Sequence, residues 1–257
     1  MAGDLSHFDL SGRTALVTGC RRGIGRAIAA GLARAGADVV GVSASLEPTG
    51  SDVEADVTGH GGRFAGYRCD FADRQAIYRL VETLDADDHA IDILVNNAGT
   101  IRRAPAAEHA DADWDHVMEV NASAPFILSR EIGRRMIERG GGKIVFVASI
   151  LSFQGGITVP GYAASKGAIA QIVRALANEW APQNVNVNAI APGYIATDIN
   201  TGLQTDQARS AELMARVPVG RWGTAEEIAD PVVFLASEAA RFVHGAILPV
   251  DGGWLAR

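Results

Sequence analysis

The sequence predicts an α/β fold: a single doubly wound domain built on a seven-stranded parallel sheet with helices on both faces. Three observations carry this reading. Short apolar runs alternate with helix-period segments from one end of the chain to the other, the pattern of repeated βαβ units. The runs are apolar throughout, as strands covered on both faces are. A glycine-punctuated turn separates the first run from the first helical segment, which is where such sheets receive a ligand.

The strand candidates are 13–18 (RTALVT), 38–43 (DVVGVS), 63–69 (RFAGYRC), 91–96 (IDILVN), 143–149 (KIVFVAS), 185–190 (VNVNAI) and 246–250 (AILPV). Helical patterns fall between them at about 24–35, 73–86, 112–139, 161–180 and 225–237. Two stretches break the alternation. Residues 44–62 are polar and turn-rich, which suits a loop or a short helix. Residues 194–222 form a long connection before the last strand; long connections in compact domains serve as lids or binding loops. With no internal repeat and no Pro/Ser linker, residues 1–257 read as one domain with a substrate loop at about 194–222.

Composition narrows the function. The chain carries 23 basic and 30 acidic side chains, a net charge of −7. That balance disfavours nucleic acid, whose phosphates demand clustered Lys and Arg. It does not exclude a small anion, which feels a local pocket. No apolar run reaches the roughly 18 residues of a membrane span, and MAGDLSHFDLSGR has no basic stretch followed by an apolar run. Cys20 and Cys69 sit among apolar neighbours and read as buried free thiols in a reducing compartment. The expectation is a soluble cytoplasmic protein without a metal: His7, His60, His89, His109, His116 and His244 show no ligand spacing.

Thr18–Ala29 (TGCRRGIGRAIA) places Gly19, Gly23, Ile24 and Gly25 in a strand-to-helix turn. Glycine permits positive φ and close approach of a phosphate or a neighbouring backbone. The following helix start offers unpaired N–H groups to a pyrophosphate. Three glycines alone would mean only a tight turn; their place after the first strand favours a dinucleotide. An acid at the end of the second strand selects NAD by binding the ribose 2′-OH. Here that position is Ser43, while Arg21 and Arg22 stand in the loop, suited to a 2′-phosphate or to plain solvation. The cofactor reading is therefore NADP or NAD, leaning to NADP, with Glu47 nearby keeping NAD open. Asp70 after the third strand suits the adenine amino group. Asn97, Ala98 and Gly99 follow the fourth strand, where Asn96 and Asn97 serve either the ligand or the neighbouring backbone.

Tyr162 and Lys166 lie four apart, on one helix face. An ammonium beside a phenol favours the phenolate and lowers a pKa that starts near ~10. A tyrosine so tuned moves protons to and from an alcohol oxygen, and Ser149, at a strand end, is suited to hydrogen-bond the same oxygen. A lone YxxxK pair is usually an exposed helix face; Ser149 and the upstream loop make that reading improbable here.

Together TGCRRGIG, NNAG, Asn121 in VNAS, Ser149, YAASK and APG (191–193) resemble the short-chain dehydrogenase/reductase family, in order and across essentially the whole chain. The resemblance implies a Rossmann-type subunit, a homotetramer, and a catalytic tetrad of Asn121, Ser149, Tyr162 and Lys166. It implies that Tyr162 is the acid/base, that Ser149 steadies the carbonyl and that Lys166 also contacts the nicotinamide ribose. Asn121 would hold a water relaying protons to the lysine; by itself it is equally a packing irregularity in a long helix. Ile195 and Thr197, after Pro192 and Gly193, match the family's carboxamide contacts.

A narrower resemblance, in NNAGTIRR, SFQGG, RALANEWA, NVNAIAPGYIATD, RWG and VDGGWLAR, is to the family's sugar-acid dehydrogenases. It implies a small anionic sugar acid as substrate. Arg103, and less so Arg102, is suited to grip its carboxylate bidentately. Gln154 is suited to a sugar hydroxyl, with Gly155 and Gly156 leaving space, and Trp254 either walls the pocket or packs an interface. A 3-oxoacyl-carrier-protein reductase is the enzymatic alternative, disfavoured by the acidic surface where an acidic carrier would have to dock. A silent dinucleotide sensor is the non-enzymatic one, disfavoured because all four tetrad residues are present.

Overall fold

Side-chain alternation along the strands divides the core in two. In β1 (Thr14–Thr18) Leu16 faces one side while Ala15 and Val17 face the other. β4 (Ile93–Asn96) repeats this with Leu94 against Ile93 and Val95, and β5 (Gly142–Val147) with Ile144 and Phe146 against Val145 and Val147. Both faces of one sheet are thus apolar, and each needs a helical cover. The computed structural model describes residues 5–257; residues 1–4, the start of the stretch read above for a leader, lie outside the described residues.

The helices supply that cover. α1 (Gly23–Arg34), α2 (Asp52–Gly59) and α9 (Glu226–Ala236) close one face through Ile28, Leu32, Val53, Val57, Ile228 and Val232. α3 (Arg74–Ala86), α5 (Ala124–Glu138) and α6 (Pro160–Trp180) close the other through Ile77, Leu80, Leu128, Ile132, Ile169 and Val173. Burying each such side chain contributes roughly 1.5–3 kcal/mol. With β2 (Asp38–Ser43), β3 (Phe64–Arg68), β6 (Val185–Pro192) and β7 (Ile247–Val250), the seven strands pair in parallel in the order β3-β2-β1-β4-β5-β6-β7. The order reverses between β1 and β4, so connections leave in opposite directions there and open a crevice at the strands' carboxyl ends.

Strand boundaries differ from the sequence reading by one or two residues. β4 runs from Ile93, and just before it Asp92 already bonds to both neighbours, its N donating to Thr14 O (3.0 Å) and its O accepting Lys143 N (2.9 Å). β5 stops at Val147, and Ser149 instead caps a 3-10 turn by accepting Leu151 N at 3.1 Å. The polar stretch at 44–62 contains α2, capped by Ser51 accepting Glu54 N. The long connection contains α7 (Thr201–Thr205) and α8 (Gln207–Arg216), the latter capped by Asp206 accepting Arg209 N at 3.0 Å.

The predicted helix 112–139 is two helices, α4 (Asp111–Met118) and α5, joined by a π turn at Glu119–Ser123. Pro125 has no N–H to return to the carbonyl four residues back, and Ala124 N instead reaches Glu119 O. No helix among the described residues is long and apolar enough to cross a membrane. Cys20 and Cys69 are free and buried.

α5 packs tightly on α6 where Gly133 faces Trp180: a Cβ there would stand 2.6 Å from the indole. Gly133→Ala is expected to cost about 1–3 kcal/mol by overpacking, despite alanine's better helix propensity. Urea unfolding measures this; an unchanged or raised stability would show that the two helices have slack.

Candidate active site

The crevice between β1 and β4 continues into a cavity of about 970 Å³ that runs under α8 to Trp254. Its cofactor-side wall includes Gly19, Arg21, Arg22, Gly23, Ile24, Gly25, Ser43, Asp70, Asn97, Ala98, Gly99, Pro192, Gly193, Ile195 and Thr197. Ser149, Gln154, Tyr162, Lys166 and Arg103 stand on the same cavity's wall.

The glycine loop is shaped by contact with the β4 loop. Gly19 has φ +67°, and a Cβ on it would lie 2.9 Å from Ala98 Cα. A Cβ on Gly25 would collide with Gly19 O and Asn97 Nδ2. Asn97 Nδ2 donates to Thr18 O (2.9 Å) and Gly19 O (3.1 Å), while Thr18 Oγ1 accepts from Asn97 N and Ala98 N. The Asn97 side chain therefore holds backbone, the structural alternative, and faces the cavity without a free donor. Asn96 donates to Ser129 Oγ at 2.8 Å. α1 starts without a side-chain cap and without an acid in its first turn, so its N–H groups stay open to an anion. Gly193 belongs to the same cradle, since a Cβ there would meet Asp251 Cα at 2.6 Å.

Ser43 ends β2 and accepts Arg21 N at 3.3 Å. Arg21 pairs with Glu47 (3.4 Å) and Arg22 with Asp198 (3.0 Å). Glu47 is not on the cavity wall and is paired with Arg21. Asp70 accepts Ala72 N with one carboxylate oxygen at 2.9 Å, and the residue faces the cavity.

Tyr162 and Lys166 share one face of the first turns of α6, the ammonium 5.5 Å from the ring centroid. Lys166 is 5 % exposed and donates to Val147 O at 2.7 Å. Burial pulls its pKa down to about 8. Burial also raises the Tyr162 pKa, against a hydrogen bond from Ser149 and the charge of Arg103, which lower it. The sequence led us to expect a lowered tyrosine; desolvation outweighs the favourable partners here.

Asn121 is 2 % exposed and lies behind the wall, in the π turn. Its Nδ2 donates to Thr100 O (2.8 Å) and Ser165 Oγ (3.1 Å), and its Oδ1 accepts Thr100 N (2.8 Å). It ties the loop after Gly99 to α6, so the irregularity seen in sequence is a brace beneath the site.

The two arginines after NNAG separate. Arg103 faces the cavity and has no acidic partner among the described residues. Arg102 is turned away, to Asp113 (3.3 Å) and Thr100 Oγ1 (3.3 Å), and is not on the wall; consecutive residues of an extended segment point to opposite sides. The paired glycines also need correction. A Cβ on Gly155 would meet nothing within 4 Å, whereas one on Gly156 would meet Val159 Cγ2 at 2.6 Å. Gly156 permits close packing of its loop and does not leave space for a ligand.

Sequence reasoning missed His116, Tyr194, Arg209 and Arg216, all on the wall. Arg209, Leu213 and Arg216 repeat at i, i+4 and i+7, a single-face signal present in the sequence. Trp254 lines the cavity, packs on Tyr194 with centroids 4.9 Å apart, and carries Arg216 over its ring at 4.0 Å. Among the described residues no group of His, Cys, Asp and Glu is arranged to hold a metal ion.

A glycine-cradled crevice at the switch point, with Ser, Tyr and Lys on its wall, defines a dinucleotide-binding α/β scaffold. Comparison with known proteins makes this specific. A family model described as enoyl-(acyl carrier protein) reductase matches residues 19–255. The chain is 62 % identical to a 2-dehydro-3-deoxy-D-gluconate 5-dehydrogenase of Pseudoalteromonas atlantica, covering 98 % of this chain and 100 % of the relative. It is 50 % identical to the enzyme of that name from Dickeya dadantii, covering 98 % and 99 %. A solved gluconate 5-dehydrogenase from Burkholderia cenocepacia, in complex with NADP and tartrate, superposes with a TM-score of 0.94 at 38 % identity, covering 99 % and 100 %. The chain belongs to the short-chain dehydrogenase/reductase family.

Lys166 makes stability depend on pH. Below about pH 8 the folded chain buries an ammonium that the unfolded chain, with its lysine near 10.5, hydrates freely. From about 8 to 10.5 the unfolded chain binds a proton that the folded chain has released, so this group's contribution to stability rises with pH. The swing is on the order of 3 kcal/mol. The melting temperature of wild type relative to Lys166→Met is expected to climb across this range. A difference that stays flat or falls would remove burial as the dominant cause.

Proposed function

We propose that the protein is an NADP(H)-preferring oxidoreductase, NAD(H) being the alternative cofactor, that interconverts a secondary alcohol and ketone of a C6 sugar acid. The specific reaction assigned is that of a 2-dehydro-3-deoxy-D-gluconate 5-dehydrogenase, also called 2-deoxy-D-gluconate 3-dehydrogenase. The observation that carries it is one continuous wall on which the glycine cradle, Ser149, Tyr162 and Lys166, and the unpaired Arg103 succeed one another. The extensive identity to relatives bearing that name supports it. Gluconate 5-dehydrogenase is the second reading, favoured by the likeness to the NADP- and tartrate-bound structure of that name.

The residues present fit a dinucleotide. Gly19, Gly23, Ile24, Gly25 and the open first turn of α1 receive the pyrophosphate. Arg21 and Arg22 would meet a 2′-phosphate beside Ser43, Asp70 would take the adenine amino group, and Ala98 and Gly99 would flank the cofactor. Pro192, Gly193, Ile195 and Thr197 hold the carboxamide end. When bound, the nicotinamide accepts or delivers the hydride.

The chain's own residues handle the oxygen and its proton. Tyr162 Oη takes the proton from the alcohol in oxidation, or gives it to the carbonyl oxygen in reduction. Ser149 Oγ hydrogen-bonds that oxygen and holds it against the tyrosine. The Lys166 ammonium, fixed by Val147 O, favours the phenolate and faces the ribose. Asn121 fixes the Thr100 segment and the base of α6, the place from which a relayed water would reach Lys166. Arg103 attracts the anionic substrate, and Gln154 pairs with a hydroxyl. Residues 194–222 act as the substrate loop. The reading extends to a cytoplasmic homotetramer, supported by the family resemblance and by two free buried thiols.

Two substitutions test the assignment. Tyr162→Phe is expected to lower kcat by at least about 10²-fold, the scale of general acid–base catalysis, while NADPH binding followed by fluorescence is retained. Near-normal turnover would overturn the assigned acid/base. Ser43→Asp is expected to shift the NADP/NAD ratio of kcat/KM toward NAD, since a carboxylate there accepts the ribose 2′-OH and repels a 2′-phosphate. An unmoved ratio would show that the end of β2 does not read the ribose.

A further inference from the structure

Five arginines line the cavity: Arg21, Arg22, Arg103, Arg209 and Arg216. Three have acidic partners, in Glu47, Asp198 and Glu212. Arg103 and Arg216 have none among the described residues. A guanidinium beside a pocket without a carboxylate of its own is ready for an external one, and its planar fork matches that ligand's geometry.

Arg216 is also held in place. It ends α8, and its guanidinium lies flat enough on Trp254 to bring Cζ within 4.0 Å of the ring centroid. Stacking on an indole face leaves the in-plane N–H donors free. Trp254 is buried and joins Leu213, Val217 and Ile150 in a small apolar cluster next to Ser149. The cluster seats α8, so Arg216 is presented by packing and not by a loose loop.

Position separates the two free arginines. The charge of Arg103 acts on both Tyr162 and Tyr194. Arg216 stands on Trp254, which packs on Tyr194 at the end of the cavity under α8. Arg103, whose charge reaches Tyr162, stands on the wall beside it, and Arg216 stands at the α8 end of the cavity. In a sugar acid whose reacting hydroxyl is remote from its acid group, the carboxylate lies at the far end of the carbon chain from Tyr162.

We propose that Arg216, presented by α8 and stacked on Trp254, is a substrate-binding residue that grips the carboxylate at the end of the cavity away from Tyr162. This rests on the sugar-acid reading above. Arg103 then serves the near end of the same anion, and specificity for acids over neutral sugars and ketones comes from the pair.

The test is steady-state kinetics of the full-length enzyme with 2-dehydro-3-deoxy-D-gluconate and with an uncharged short ketone. A second arm measures inhibition of ketone reduction by tartrate as an anion probe. Arg216→Ala is expected to raise KM for the sugar acid and Ki for tartrate about tenfold, the loss of one charge-assisted hydrogen-bonding group. Its kcat, and its KM for ketone and for NADPH, should stay within about twofold, the signature of lost ground-state binding. Arg216→Lys should recover part of the loss, since it keeps the charge without the fork. Unchanged sugar-acid KM and tartrate Ki, or equal rises for acid and ketone, would overturn the proposal. If the parent enzyme reduces ketones and turns over no sugar acid, the sugar-acid reading fails, and the carboxylate grip proposed for it fails with it. The tartrate arm then tells whether Arg216 binds anions of another kind.

Discussion

The site depends on one close approach: the first turn of α1 against the carboxyl ends of β1 and β4. Asn97 bridges the gap with two hydrogen bonds to the β1 end, and Gly25 leaves the space that Gly19 O and Asn97 Nδ2 fill. A side chain at position 25 would push the helix off the strands. The open N–H groups of α1 would then no longer point into the crevice. The cradle, the switch point and the direction from which a dinucleotide enters are set by this contact.

The catalytic end is governed by desolvation. Lys166 is buried and Tyr162 half-buried, and desolvation favours the uncharged form of both: the lysine falls to about 8, the tyrosine rises. Ser149 and Arg103 oppose the shift at Tyr162. The two pKa values therefore move apart, the amine's down and the phenol's up, because burial disfavours the charged form of each. The same burial opposes folding, so the large apolar faces of the sheet must supply the compensating stability.

A third, smaller apolar cluster connects the lid to this chemistry. Ile150 follows Ser149 directly and packs with Leu213, Val217 and Trp254. The segment after Ser149, α8 and the Trp254 segment are one packed unit. Arg22 adds a second tie, pairing across the crevice with Asp198 at the start of the lid. The glycine loop and the lid are therefore linked through charge at one end and through packing at the other.

Much of this was legible in the sequence because it rests on local periodicity and fixed spacing. Apolar runs marked all seven strands to within two residues, and the four-residue interval of Tyr162 and Lys166 placed them on one helix face. The glycine turn announced itself through its place between strand and helix. What the sequence left open was set by contacts between distant segments. Arg102 and Arg103 are chemically alike, and only the direction of the chain after Gly99 turns one to Asp113 and the other to the cavity. Asn186 and Asn188 of β6 both donate to Val243 O and hold the segment leading into β7, a role that only the fold reveals. Arg216 joined the cavity wall only when α8 folded onto Trp254, 38 residues further along the chain. By itself the sequence determined the fold class, the cofactor cradle and the Ser–Tyr–Lys set, since hydrophobic period and residue spacing act over single elements. The tertiary structure decided which charges face the substrate, because side-chain direction and burial exist only once the elements have packed.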